Sequence, residues 1–118
     1  MKKFIVLFFG IIATIHLSAQ NQYNLIPQPQ KITPQSGMFI LKKGTNVSVS
    51  SELFTPAAQL LISQANNVSN LGLSISKTTS SSGIHFILNP AIGKEAYTLN
   101  VSSRKIEIQA STGAGAFY

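Results

Sequence analysis

From Met1 the chain opens on an apolar run, Phe4 to Leu17, broken only by Gly10, Thr14 and His16 and flanked by Lys2-Lys3 before and Ser18-Ala19 after. A basic start, a short apolar stretch and small residues form the pattern of a secretory signal peptide, cleaved after Ala19. The run is short of the roughly 20 residues a membrane span needs, and no charged stop follows it. It is also apolar all round, which excludes a surface helix with one buried stripe.

Beyond Ala19 the pattern shifts to short extended pieces. Pro27, Pro29 and Pro34 exclude a helix, because each proline also pushes its predecessor out of the helical region. Leu25-Ile26 reads as the edge of a strand, Thr33 to Gly37 as a turn, and Met38 to Leu41 as a second strand. "NVSVS" follows as a third, with Val47 and Val49 on one face.

At Thr55 the period changes. In "TPAAQLLISQANNVSNLG", Ala57, Leu61, Ala65 and Val68 recur at helical spacing, with Thr55 as the expected N-cap, Pro56 in the first turn and Gly72 as the stop. The outward positions, Gln59, Ser63, Asn66 and Asn70, carry no charge, so the helix reads as cover for a sheet.

Then come "LSISKT", with Leu73 and Ile75 alternating, a serine-rich turn ending at Gly83, and "IHFIL" from Ile84 to Leu88. The near-continuous apolar run predicts a central strand covered on both faces. "NPAIGK" from Asn89 to Lys94 is a loop. "AYTLNV" and "KIEIQA", joined by Ser102, Ser103 and Arg104, predict an antiparallel hairpin. The fold class is α+β, one mixed or antiparallel sheet with helical cover. The last stretch, "STGAGAFY", predicts a short helix capped by Ser111 or Thr112, with glycines letting its first turn lie close to the sheet. An apolar end inside a folded unit reads as the start of something further, not as a frayed terminus.

The 118 residues hold no cysteine, so neither disulfides nor a lipid-modified cysteine support the exported chain. The formal charge is +6; without Lys2 and Lys3, seven basic residues stand against three acidic ones, giving +4. Only Lys42-Lys43 and Arg104-Lys105 are adjacent in the mature part. Without a basic helix or interleaved aromatics, no nucleic-acid partner is expected. An acidic glycan or an anionic surface remains a partner the charge would attract.

Candidate chemistry is sparse. Glu52, Glu95 and Glu107 are the only carboxylate side chains, aspartate is absent, and His85 is the one histidine after Ala19. Hydrolysis by paired carboxylates, by a nucleophile with its base, or by a metal each needs more than this set supplies. Each glutamate reads as structural: Glu52 before a helix, Glu95 in a loop, Glu107 outward on a strand. His85 reads as a half-buried, hydrogen-bonded strand residue. No catalytic, cofactor-binding or metal-binding residue is assigned. "GAG" at Gly113 to Gly115 lacks the third glycine of a dinucleotide fingerprint, where Tyr118 stands. Asn46, Asn67 and Asn100 each head an "NVS" triplet, a formal glycosylation acceptor expected by chance in a chain rich in Asn and Ser.

Two stretches carry more than pattern. "NLIPQPQKITPQSGMFIL" (Asn24 to Leu41) and "EAYTLNVSSRKIEIQASTGAGAFY" (Glu95 to Tyr118) resemble the first domain of bacterial β-N-acetylhexosaminidases of glycoside hydrolase family 20. The resemblance implies an α+β accessory domain, sometimes described as zincin-like, whose "GAGAFY" end leads into the helix that joins it to a catalytic (β/α) barrel. Ala96 departs from the glycine that often precedes the tyrosine. The family's catalytic Asp-Glu pair lies in the barrel, so no active-site residue carries over to Glu52, Glu95 or Glu107. The implied organisation is a signal peptide at 1–19, the α+β domain at 20–112, and the start of the connecting helix at 113–118. The implied role is the non-catalytic domain of a secreted or periplasmic enzyme that removes terminal N-acetylhexosamine residues. Its partner is the barrel of the same polypeptide, and glycan is met only through that parent. A stand-alone secreted carbohydrate-binding or adhesion module is the alternative.

Overall fold

The computed structural model describes residue 23, residues 25–26, 28–78 and 80–118. The segment read as a signal peptide lies outside the described residues.

Strands β1 (Val47–Val49), β2 (Gly83–Leu88), β3 (Tyr97–Val101) and β4 (Lys105–Ala110) form one sheet in the order β1-β2-β4-β3. Pairing is parallel between β1 and β2 and between β2 and β4, and antiparallel between β3 and β4. The expected central strand and hairpin are both present, in a mixed α+β arrangement. Helix α1 (Thr55–Ser69) forms the crossover between β1 and β2, and α2 (Gly113–Phe117) follows β4.

Partners across the ladders share a face. Val47, Ile84, Ile106 and Val101 form one row, and Val49, Phe86, Ile108 and Leu99 the next. The helices pack on this apolar face, where Phe54, Ala57 and Ala58 close a core with Val47, Ile84, Phe86 and Ala110. Phe54 is fully buried, and its ring lies tilted beside Phe86 with centroids 6.4 Å apart. Burial of such a side chain stabilises by about 1.5–3 kcal/mol. The opposite face carries Ser48, His85, Glu107 and Asn100 in one row.

Five local expectations are corrected. Thr55 is the first helical residue and not the cap, because a single 3-10 turn (Glu52–Phe54) feeds straight into α1. The capping role falls to Ser51, whose hydroxyl accepts from the Leu53 amide at 3.4 Å. The helix also stops before Gly72. Asn70 takes the left-handed conformation (φ 47°) and its amide donates to Asn66 O, a conformation a short polar residue tolerates better than most. The Asn66 side chain then grips Leu73 through both its amide and its carbonyl.

Leu73 to Ile75 shrinks to a single parallel bridge between Ile75 and Val47. The Ser76 hydroxyl accepts from the Thr78 amide, a local turn that competes with further pairing. Met38 to Leu41 forms no strand. Its alternation persists, since Phe39 and Leu41 pack on the core while Met38 and Ile40 are exposed. The edge of β1 that it would need is taken by Ile75. Leu25 and Ile26 are likewise exposed and form no strand.

Candidate functional site

The polar face of the sheet brings His85, Lys105 and Glu107 together with Ser48. Ser48 and His85 are only 6% and 5% exposed, on neighbouring parallel strands at matched positions. The Ser48 hydroxyl lies 2.7 Å from His85 Nδ1, and the buried Nε2 has no partner among the described residues. Glu107 is the next residue in the row. Its Oε1 pairs with Lys105 Nζ at 2.7 Å, and its Oε2 accepts from Asn100 Nδ2 at 3.4 Å. The Lys105 hydrogen bond holds the Glu107 carboxyl below the usual glutamate range; partial desolvation opposes it, while the Lys105 charge and Asn100 reinforce it. A cavity of about 170 Å³ opens beside these groups, lined by Ser48, Ser50, Ser80, His85 and Glu107 among others.

Serine, histidine and glutamate in one row invite comparison with a nucleophilic triad, and the geometry does not supply one. The nucleophile must be accessible and the base must be oriented by the acid. Here Ser48 is buried, and both Glu107 oxygens are committed to Lys105 and Asn100. The arrangement pairs Ser48 with His85 Nδ1 and satisfies the Glu107 carboxylate, and it leaves Nε2 unpaired. Glu52 sits in the 3-10 turn before α1 and Glu95 in the connection before β3, so the three carboxylates lie on separate elements. Among the described residues no group of three or more His, Cys, Asp or Glu side chains gathers to hold a metal ion. The serine partner of His85 was not visible in the sequence, where 37 positions separate the two; only the strand register brings them together.

The second place of interest is α2. Thr112 is its N-cap: its hydroxyl accepts from the Gly115 amide at 3.1 Å and donates to Lys94 O. A Cβ on Gly113 would stand 2.8 Å from Leu53 O, and one on Gly115 would stand 2.6 Å from Ala96 O. The "GAG" glycines therefore allow close packing against neighbouring backbone, as their position after a strand predicts. Beyond them Phe117 and Tyr118 are 60% and 62% exposed, with Leu99 on the edge strand 53% exposed. Of the "NVS" asparagines, Asn67 and Asn100 are exposed, whereas Asn46 is half-buried and donates to Thr78 O.

Residues 22–118 match the model of the family described as glycosyl hydrolase family 20, domain 2. Among solved structures, the chain is similar to the GH20 exo β-N-acetylglucosaminidase from Vibrio harveyi, with a TM-score of 0.67 and 27% identity over 76% of this chain and 14% of that one. It is also similar to the GH20 β-N-acetylhexosaminidase from Streptomyces coelicolor A3(2), with a TM-score of 0.62 and 22% identity over 77% of this chain and 19% of that one. For the β-N-acetylhexosaminidase from Bacteroides fragilis NCTC 9343 the TM-score is 0.60 at 20% identity, over 77% of this chain and 18% of that one. The last two likenesses speak for the fold alone. The chain thus spans less than a fifth of the length of these structures. Among curated proteins no match is found.

Proposed function

The chain belongs to the domain 2 family of glycosyl hydrolase family 20, and on that premise we propose that it serves as the non-catalytic domain of a secreted or periplasmic β-N-acetylhexosaminidase. The observation that carries this reading is the family match over 22–118 in a chain covering only 14% to 19% of its structural neighbours. The parent enzyme would remove terminal non-reducing N-acetylhexosamine residues, with an Asp-Glu pair in a (β/α) barrel. In this family the substrate's own acetamido oxygen attacks the anomeric carbon, the aspartate orients that group and the glutamate protonates the leaving oxygen, so no carboxylate serves as nucleophile. Neither Glu52, Glu95 nor Glu107 takes either role, because each lies on a different element of this domain.

The domain's own contribution is structural. Residues 1–19 direct export and are removed, residues 20–112 form the α+β unit, and 113–118 begin the helix leading to the barrel. The exposed Phe117, Tyr118 and Leu99 supply apolar surface for packing against it. The sheet with helices packed on its apolar face fits the zincin-like description of the family's accessory domain. The alternative, a stand-alone carbohydrate-binding or adhesion module, needs exposed aromatic platforms for sugar rings. Phe54 and Phe86 are buried in the core, and the exposed Phe117 and Tyr118 lie at the end of the helix assigned to the barrel.

The test is turnover of a chromogenic N-acetylglucosaminide by the purified chain. No hydrolysis is expected, and hydrolysis would overturn the non-catalytic assignment. Reading the coding frame past Tyr118 is the companion test. An open frame encoding an adjacent Asp-Glu pair at a strand end supports the hexosaminidase reading, and a stop codon removes it. Micromolar binding of a neutral chitooligosaccharide by the chain alone would favour the stand-alone module.

A further inference from the structure

Parallel strands β1, β2 and β4 are neighbours in the sheet and all begin at the same end of it. The connections that precede them therefore meet there. This unites the two basic clusters that stand some sixty positions apart in the sequence: Lys42-Lys43 before β1 and Arg104 before β4. Gly83, at the start of β2, locks them together. Its amide donates to Arg104 O at 3.1 Å, and the Ile84 amide donates to Asn46 O at 2.8 Å. A Cβ on Gly83 would stand 2.4 Å from Asn46 O, and its φ of +126° is one that side chains rarely adopt. The backbone on either side of the cleft is thus held at closest approach.

The cleft at this end measures about 630 Å³. Lys42, Lys43 and Arg104 line it, together with the hydroxyl residues Ser82 and Ser103. Among the described residues no acidic side chain lines it. The one ion pair among the described residues, Lys105 with Glu107, involves neither these lysines nor Arg104. Met38 and Ile40 add apolar surface at the same cleft, 74% and 60% exposed.

We propose that this cleft binds an acidic oligosaccharide, carrying sulfate or carboxylate groups, and so gives the parent enzyme a second hold on charged glycans. The proposal rests on the hexosaminidase reading for the choice of glycan over other anions. Three unpaired cations meet the acid groups. Serine hydroxyls can exchange hydrogen bonds with ring hydroxyls, and Met38 and Ile40 offer a surface for the apolar side of a sugar ring. The volume exceeds what one inorganic anion occupies. A single-stranded nucleic acid fits less well, because its bases need stacking aromatics and Phe39, the one aromatic lining residue, is half-buried on the core.

The experiment is titration of the purified full chain with a fluorescent, sulfated, heparin-derived hexasaccharide, by anisotropy at low and at physiological salt. Saturable binding that weakens with salt is expected. The combined variant Lys42→Gln, Lys43→Gln and Arg104→Gln should bind about tenfold more weakly or worse, whereas Lys77→Gln with Lys94→Gln should change affinity less than about twofold. All five side chains are exposed or line the cleft, and unchanged circular dichroism melts verify folding. Absence of binding overturns the proposal, as does equal loss in both variants, which would reveal diffuse charge attraction. Equal affinity for a neutral N-acetylglucosamine hexamer or tighter binding of single-stranded DNA also overturns it. Hydrolysis of a neutral chromogenic substrate by the parent tests the hexosaminidase reading separately, so a failed titration beside intact hydrolysis refutes the cleft alone.

Discussion

Gly115→Ala is the most direct probe of how α2 is seated. In an ordinary helix the exchange stabilises by about 0.5–1 kcal/mol, since alanine surrenders less backbone freedom than glycine. Here the added Cβ would stand 2.6 Å from Ala96 O, where ordinary contact begins near 3.4 Å, and 3.3 Å from both Ala110 Cβ and Lys94 O. Relief requires moving backbone, and that backbone is tied down. The Ala96 amide donates to Gly93 O at 2.9 Å, the Ser111 hydroxyl donates to the same oxygen, and the Thr112 hydroxyl donates to Lys94 O. Overpacking costs about 1–3 kcal/mol; a 2.6 Å contact with backbone that cannot relax belongs in the upper part of that range, so after a propensity gain of about 0.5–1 kcal/mol a net loss of about 1–2 kcal/mol remains. For a domain of this size each kcal/mol shifts Tm by roughly 4–8 °C, so the midpoint should fall by about 5–15 °C. Thermal melts and urea titrations followed by circular dichroism measure it, with the m-value unchanged if only the native state is strained. Gly93→Ala is the control. Its Cβ would meet only Ala96 Cβ, at 3.7 Å, and it should stay within about 0.5 kcal/mol. A Gly115→Ala chain as stable as the parent, or more so, would show that α2 is not closely seated and would refute the reasoning.

Ser48→Ala leaves both ring nitrogens of the buried His85 without a partner and should cost about 1–3 kcal/mol in urea denaturation. Pairing Ser48→Val with His85→Leu removes both polar groups and should cost less than the two single changes summed; strict additivity would contradict the coupling. For Glu107, whose folded carboxyl titrates below its ordinary value because of Lys105, the stabilisation is present above the unfolded value and lost as pH falls through the folded one. Glu107→Gln should therefore destabilise by about 0.2–1 kcal/mol at neutral pH. The gap to the parent should close in acid and shrink with salt, and a pH-independent gap would point to packing instead.

What could be read in the sequence was what local chemistry decides. The near-continuous apolar "IHFIL" run marked β2 as central, and the spacing of "AYTLNV" and "KIEIQA" marked the hairpin. Ser111 or Thr112 ahead of the glycines marked the start of α2, and the fold gives the cap to Thr112. The misplaced elements share one cause, competition that only the folded chain resolves. Phe39 and Leu41 alternate like a strand, yet the free edge of β1 belongs to Ile75. Thr55 resembles a cap, yet Ser51 takes that role through the intervening 3-10 turn. Parallel pairing of β1 with β2 and of β2 with β4 is set by the crossover and by burial, and no residue announces it. With that pairing hidden, neither the Ser48–His85 contact nor the meeting of Lys43 with Arg104 at one cleft could be foreseen.

The same topology separates the domain's two working ends. Helix α2 leaves the carboxyl end of β4, whereas the basic cleft lies where β1, β2 and β4 begin. At about 3.3 Å per residue, the six residues of β4 hold the two ends roughly 20 Å apart. Sites separated by more than about 7–10 Å without shared partners act nearly additively. Seating of α2, and with it any packing against a following barrel, should therefore be insensitive to charge removal at Lys42, Lys43 and Arg104. Conversely, Gly115→Ala should lower stability while leaving the affinity of the folded chain for a sulfated hexasaccharide unchanged below its melting range. Loss of glycan affinity in that variant, measured where circular dichroism shows it folded, would mean that the sheet transmits strain from one end to the other. The two surfaces would then have to be treated as a single site.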